Sequence, residues 1–130
     1  GELGKRLLTT AADVMRTNDL PIIPQDMHLG EAIICVSKGL LGLGVSLGDD
    51  KRVVGLITDG DIRRAMERWQ AKFFDHTVSD IMTKTPKFVL PTTKITEIQR
   101  IMHRHKIHTV LVVDEEKHLL GVVDHYACMV

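Results

Sequence analysis

The chain has 130 residues, 44% of them hydrophobic and 26% charged, which fits one folded domain and excludes a disordered tail and a collagen-like or disulfide-stapled scaffold. The 17 Lys and Arg residues balance 17 Asp and Glu residues, so no overall charge favours nucleic acid or an anionic membrane as a partner. Because no apolar stretch approaches the roughly 18 residues of a membrane-spanning helix and no signal-peptide pattern opens the chain, the sequence predicts a soluble, cytoplasmic protein.

In chain order, the first half predicts a strand, a helix, two strands and a second helix. The apolar residues before Pro24 favour a short strand, because proline prevents a helix there. An amphipathic helix follows, and its core-facing residues recur at three- and four-residue steps: Leu29, Ala32, Ile33, Val36 and Leu40. The apolar runs GVSL (44–47) and VVGLIT (53–58) predict a hairpin. A second helix with a core-facing stripe is predicted over residues 61–70: Ile62, Ala65, Met66 and Trp69.

The second half repeats this order. It predicts a strand before Pro91, a helix, and a hairpin formed by TVLVV (109–113) and HLLGVV (118–123). The helix carries its own apolar stripe: Ile95, Ile98, and Ile101 or Met102. In the first half, the glycines of GLLGLG (39–44) predict a helix C-cap and the entry to a strand. They follow a predicted helix, whereas the glycines of a phosphate-binding loop follow a strand.

An internal repeat relates the two halves. At an offset of 67 residues DVM (13–15) matches DIM (80–82), and at an offset of 66 VVGLIT (53–58) matches LLGVVD (119–124). Each half, about 60 residues long, is too small to bury a sufficient core alone. We therefore expect the halves to pack about a pseudo-twofold axis with a cleft between them. The predicted fold class is α+β (α/β), with two β-α-β-β-α motifs.

This repeat resembles a tandem CBS-domain pair, or Bateman module. The resemblance implies a first CBS motif over residues 11–70 and a second over 71–130. It also implies that residues 1–10 are a linker from a missing N-terminal domain.

Two shorter segments, GELGKRLL (1–8) and GLITDGDIRR (55–64), resemble the C-terminal part of bacterial D-arabinose 5-phosphate isomerases. In that family a catalytic sugar-isomerase (SIS) domain precedes the CBS pair. The resemblance implies a parent enzyme that interconverts D-ribulose 5-phosphate and D-arabinose 5-phosphate for the synthesis of 3-deoxy-manno-octulosonate (Kdo), a lipopolysaccharide sugar.

The segment Thr58-Asp59-Gly60-Asp61 lies where a strand is predicted to end and a helix to begin. One interpretation is a capping box, in which Thr58 and Asp61 satisfy backbone N–H groups and no ligand is needed. The other is a ligand site, because free N–H groups at a helix start bind phosphate and an acidic side chain accepts both hydroxyls of a ribose. The resemblance implies the second, since CBS pairs use a Thr or Ser and an Asp here. Thr58, Asp59 and Asp61 are therefore candidate nucleotide-binding residues.

Arg63 and Arg64 follow on the first helical turn, where cations oppose the helix dipole. Arginine can grip a phosphate through two hydrogen bonds, but a solvated charged face, or a pair between Arg63 and Glu67, fits the sequence equally well. In the second half Asp124 and Ala127 replace the Thr and Asp of the first. We therefore expect one ribose site, and a second cleft that is empty or structural.

HRHKIH (103–108) places three histidines and two cations after the second half's predicted stripe. Spacings of two and five residues point the rings in different directions, which disfavours a zinc site. A solvated basic helix end and an anion contact both remain open. The resemblance implies that His108 is the best ligand candidate, since basic residues before this strand of CBS motifs face phosphates.

Cys35 and Cys128 form no CxxC pattern and are interpreted as small buried residues.

The resulting hypothesis is a regulatory module with no catalytic residue, metal or cofactor of its own. Its ligand would be AMP or ATP, or the nucleotide sugar CMP-Kdo, and the sequence does not choose between them. The alternative is a ligand-free module that holds isomerase subunits together. The resemblance implies a homo-oligomer, a dimer of CBS pairs, and neither nucleic acid nor membrane as a partner.

Overall fold

The structure, a computed structural model, describes residues 2–39 and 41–129. Three residues lie outside the described residues: Gly1, Leu40 and Val130. The sequence predicts Gly1 in the linker, Leu40 in the first helical stripe and Val130 in the second motif. The chain divides into two compact units. We call residues 21–86 the continuous unit, and the residues up to 20 together with those from 87 onward the split unit.

The described helices and strands follow the predicted order closely. The helices are α1 (Glu2–Leu8), α2 (Ala11–Val14), α3 (Leu29–Lys38), α4 (Asp59–Trp69), α5 (Val78–Ile81) and α6 (Ile95–His105). The strands are β1 (Leu43–Leu47), β2 (Val53–Thr58), β3 (Phe88–Val89), β4 (Thr109–Val113) and β5 (Leu119–Asp124). Short 3-10 helices cover Gln70–Asp75 and Tyr126–Met129.

In the continuous unit, β1 and β2 form the predicted antiparallel hairpin. Two isolated bridges extend it, because Ile22 pairs parallel with Val45 and Thr83 pairs antiparallel with Leu56. The segment before Pro24, predicted to be a short strand, forms only a single isolated bridge to the sheet. The glycine predictions are confirmed, since Gly39 is the C-cap of α3 and Gly42 precedes β1.

The core of the continuous unit is drawn from the segment before Pro24, from α3, β2, α4 and α5, and from the 3-10 helix Gln70–Asp75. Its buried members are Ile23, Leu29, Ala32, Val36, Ile57, Ile62, Ala65, Phe73 and Val78. Met66, expected in this core, is 38% exposed. Because a helix turns by about 100° per residue, Met66 lies at the edge of the buried stripe, whose centre is formed by Ile62 and Ala65. Cys35, expected to be buried, is exposed, whereas Cys128 of the split unit is buried.

In the split unit, β3, β4 and β5 form a sheet in that order, with β3 parallel to β4 and β4 antiparallel to β5. The second predicted hairpin is therefore confirmed. The core includes the predicted α6 stripe, and its buried members are Ala11, Val89, Ile95, Ile98, Met102, Val110, Val112, Val123 and Cys128.

The compact units and the sequence repeats divide the chain differently. Helix α2, from the first repeat, belongs to the split unit, where the backbones of Arg16 and Val122 exchange hydrogen bonds of 2.9 and 3.0 Å. Helix α5, from the second repeat, belongs to the continuous unit, where Thr83 and Leu56 exchange bonds of 2.8 and 3.0 Å. Each sheet is thus completed by the leading segment of the other repeat. The boundaries 11–70 and 71–130 stay a prediction.

No helix within residues 2–39 and 41–129 is long and apolar enough to cross a lipid bilayer.

Candidate ligand site

The chain turns from strand β2 into helix α4 at Thr58, which is the last strand residue and the N-cap of the helix. Its extended backbone (φ −122°, ψ 168°) leaves the side chain beside the first turn. The Thr58 Oγ1 accepts a hydrogen bond of 3.2 Å from the Asp61 N–H, and the Thr58 N–H donates one of 2.9 Å to Asp61 Oδ2. The predicted capping box is confirmed, and it fixes the Asp61 carboxylate at the helix start.

The same box occurs at two other helix starts. Thr10 with Asp13 begins α2, and Thr77 with Asp80 begins α5, and each of these helices has only four residues. The backbone N–H groups of Thr10 and Thr77 hold the pKa values of Asp13 and Asp80 below the usual range. The T-x-x-D spacing was present in the sequence at both places, although the sequence analysis did not use it. A capping box therefore does not by itself mark a ligand site.

Two features distinguish the Thr58 box from the other two. It begins a helix of 11 residues, and its carboxylate is less accessible, since the Asp61 side chain is 17% exposed and that of Asp80 is 45% exposed. The second oxygen of this carboxylate, Oδ1, accepts a hydrogen bond of 2.7 Å from the Arg64 guanidinium. Arg64 thus lies at the candidate site, while its own side chain is 64% exposed.

Asp59 is held by a residue that sequence analysis did not place at the site. Its N–H donates a hydrogen bond of 3.1 Å to the carbonyl oxygen of Gly42. Gly42 has a φ of +64°, and a Cβ there would lie only 2.9 Å from Asp59 Oδ2. The backbone conformation at position 42 therefore favours glycine, and a side chain there would require the Asp59 carboxylate to move. The predicted turn before β1 was the available signal, but it could not reveal the contact across the hairpin.

Arg63 is exposed on the same helix. The ion pair with Glu67 that the sequence allowed is not among the ion pairs of the described residues, which leaves the Arg63 guanidinium in solvent.

His108 lies in the split unit just before β4 and is exposed. The His125 N–H donates to its carbonyl oxygen over 2.9 Å, and the two imidazole centroids are 5.3 Å apart. An open groove of about 440 Å³ is present there, lined by Met102, His103, Lys106, Ile107, His108 and His125. Within residues 2–39 and 41–129, no cluster of His, Cys, Asp or Glu is arranged to hold a metal ion.

At the equivalent helix start of the second repeat, the two key positions differ as predicted. Asp124 Oδ1 accepts a hydrogen bond of 2.8 Å from the Ala127 N–H, and Ala127 has no carboxylate to offer a ligand. Burial raises the pKa of the Cys128 thiol, and the negative charge of Asp124 raises it further. The two repeats thus present chemically different helix starts.

Comparisons with known proteins identify relatives over nearly the whole chain. The family model of the CBS domain matches residues 11–68 and 78–128. A curated protein described as a probable arabinose 5-phosphate isomerase, from Haemophilus influenzae, is 33% identical over 124 residues, which cover 95% of this chain. Those residues are 36% of that protein, so the chain spans little more than a third of the relative's length.

Solved structures show the same fold. A CBS domain protein from Pyrobaculum aerophilum, complexed with AMP, has a TM-score of 0.80 and 25% identity, with 92% of this chain and 89% of that chain covered. The CBS domain pair of protein MJ0100, in complex with 5′-methylthioadenosine and S-adenosyl-L-methionine, has a TM-score of 0.82 and 21% identity, with 94% of each chain covered.

Proposed function

Because the chain belongs to the CBS domain family and carries two such domains in tandem, we propose that it is a regulatory module that binds an adenine nucleotide at the start of helix α4. The ligand contacts would come from Thr58, Asp59 and Asp61, with Arg64 as a contact for phosphate. Arg63, one residue away and also exposed, is the weaker phosphate candidate. His108, in the split unit, stays a predicted anion contact.

The observation that carries this proposal is the placement of the Asp61 carboxylate. The capping box fixes it beside the first-turn N–H groups of α4, where the helix dipole favours an anionic ligand. Each carboxylate oxygen can accept about two hydrogen bonds, so the Thr58 N–H does not exhaust the capacity of Oδ2, and Oδ1 becomes open to a ligand when the Arg64 side chain moves away. A ribose could thus donate its two hydroxyls to Asp61 while the phosphate reaches the helix start. The relative solved with AMP, at 25% identity, supports an adenine nucleotide as the ligand.

The activity being regulated is proposed from the curated relatives. Their length leaves room for a catalytic domain beyond the matched region, and the match to an arabinose 5-phosphate isomerase covers 95% of this chain. We therefore propose that the module tunes such an isomerase, in the cytoplasm, in the supply of Kdo for lipopolysaccharide. CMP-Kdo, as a product that carries both ribose and phosphate, is the rival ligand to AMP and ATP.

A second function, assembly without a ligand, is favoured by exposed apolar side chains of the continuous unit. Ile34 is 52% exposed and Phe74 is 63% exposed, and such side chains suit an interface between copies of the chain. Assembly and ligand binding are compatible, so the experiment must separate them.

The test is thermal unfolding of the protein with AMP, ATP, CMP and CMP-Kdo, with size-exclusion chromatography in parallel. A ligand at 100 times its dissociation constant adds about 2.7 kcal/mol of stability, which is several degrees at this size. We expect one ligand to give such a shift, and Asp61→Ala to abolish it without changing the oligomer.

The matched control is Asp13→Ala, which removes an equivalent capping box from helix α2. Each substitution removes the carboxylate of a capping box and should destabilise its helix start, but only Asp61→Ala should remove the response to ligand. If none of the four nucleotides stabilises the protein, ligand sensing is wrong and assembly becomes the better account.

A further inference from the structure

The Arg64 guanidinium covers the outer side of the candidate site. Its Nη2 donates to Asp61 Oδ1 over 2.7 Å. It also lies over the backbone of Gly60, where an added Cβ would come within 3.1 Å of Arg64 Nη1. A methyl group at position 60 would require the guanidinium to shift by a few tenths of an ångström.

This ion pair competes with the ligand for the same carboxylate. The Thr58 N–H is a backbone group and keeps its hydrogen bond to Asp61 Oδ2. The other oxygen, Oδ1, which a second ribose hydroxyl would use, is held by the side chain of Arg64. Ion pairs in which one partner is exposed to solvent are weak. The Arg64 side chain, 64% exposed, can therefore leave Asp61 when it is offered a better anion.

We propose that Arg64 is a selectivity latch, which closes on Asp61 when no ligand is bound and moves to the phosphate of a phosphorylated nucleoside when one binds. The proposal rests on the proposed function of the site. A nucleoside without a phosphate must displace the guanidinium and offers no anion in return. A nucleoside monophosphate replaces the carboxylate with a phosphate, which the guanidinium can grip through two hydrogen bonds.

Arg64→Ala should therefore have opposite effects on two ligands, adenosine and AMP. Adenosine should bind about two- to fivefold more tightly, because the competing ion pair is gone. AMP should bind about tenfold more weakly, because a charge-assisted contact to phosphate is lost. The preference for AMP over adenosine is thus smaller in the variant, because adenosine binds more tightly and AMP binds more weakly. A residue that only stabilised the helix would shift both affinities the same way.

The experiment is isothermal titration calorimetry of adenosine and AMP with the wild-type chain and three variants. Arg68→Ala is the matched control, since it removes a cation in the last turn of the same helix with no contact to Asp61 among the described residues. Gly60→Ala keeps the Arg64 charge and requires the guanidinium to shift by only a few tenths of an ångström. We expect Arg68→Ala to leave the ratio of the two affinities within about twofold of wild type, and Gly60→Ala to change adenosine binding less than Arg64→Ala does.

Two results distinguish failure of the latch from failure of the site. If wild-type protein binds AMP and Arg64→Ala changes both affinities in the same direction, the latch is wrong and the nucleotide site stands. If neither wild type nor any variant binds adenosine or AMP, the adenine nucleotide site itself is wrong.

Discussion

Gly42 shows how a single residue shapes the candidate site. Its φ of +64° disfavours any side chain, and a Cβ there would lie 2.9 Å from Asp59 Oδ2, so the Asp59 carboxylate would have to move. Gly42→Ala should lower the free energy of unfolding by about 1–2 kcal/mol for the backbone conformation alone, and it should displace Asp59. Urea unfolding of the variant tests the first effect, and the nucleotide titrations described above test the second.

Gly4→Ala serves as the comparison for Gly42→Ala. Gly4 lies in helix α1, and nothing lies within 4 Å of a Cβ placed there. This substitution should be neutral or stabilise the helix by up to about 1 kcal/mol. Equal destabilisation by the two substitutions would contradict the role given to position 42.

At the scale of elements, the capping carboxylates make the stability of the protein depend on acidity. The pKa of Asp80 is lowered first by the Thr77 N–H and then by His76, whose Nδ1 lies 3.0 Å from Asp80 Oδ2. A carboxyl whose folded pKa is depressed contributes stability that is complete above its unfolded pKa and disappears as the pH falls towards the folded pKa. Below the ordinary value of 3.8, part of the stability of helix α5 should therefore be lost.

Asp80→Asn tests this acid dependence, because an amide cannot titrate. Thermal unfolding followed from about pH 6 to about pH 3 should show a shallower loss of stability in the variant than in the wild type. Asp26→Asn is the control, since the exposed Asp26 side chain makes no hydrogen bond among the described residues. Identical acid slopes for Asp80→Asn and wild type would show that the Thr77 box does not carry the effect.

The elements themselves were largely predictable, because their signals are local. Apolar periodicity gave α3 and α6, the alternating runs gave both hairpins, and the Thr58–Asp61 spacing gave a capping box at the start of α4. The burial of residues at the edge of a helical stripe was harder to predict, since spacing alone cannot show whether the side chain of Met66 or Cys35 packs against a neighbour. The Arg64 ion pair follows the three-residue step of a helix and was within reach of the sequence. The contact of Gly42 with Asp59 was not, since it joins the two ends of a hairpin.

At the scale of the whole molecule, the least predictable feature was the exchange of leading segments. It depends on bridges such as the one between Arg16 and Val122, which are far apart in the sequence and carry no local signal. Glycines accommodate the exchange. A Cβ at Gly121 would lie 2.7 Å from the Arg16 carbonyl oxygen, whereas at Gly55 it would meet the flexible side chain of Met82.

The two glycine positions should therefore differ in their tolerance of alanine. Gly121→Ala forces a backbone segment to move and should cost about 2–3 kcal/mol, near the upper end for overpacking. Gly55→Ala can be absorbed in part by a rotation of Met82 and should cost less. Chemical denaturation of both variants measures the difference, and a larger cost at Gly55 would contradict this account.

The exchange of segments between repeats also governs how the gene can be cut. A break between residues 70 and 77 leaves one piece without the Thr83 segment that completes the sheet of the continuous unit, and another without the Arg16 segment that completes the sheet of the split unit. We therefore expect that neither repeat folds completely when it is produced alone. Each piece holds what the other needs, so the chain has the topology of a split reporter, whose separately made fragments gain structure only by complementation.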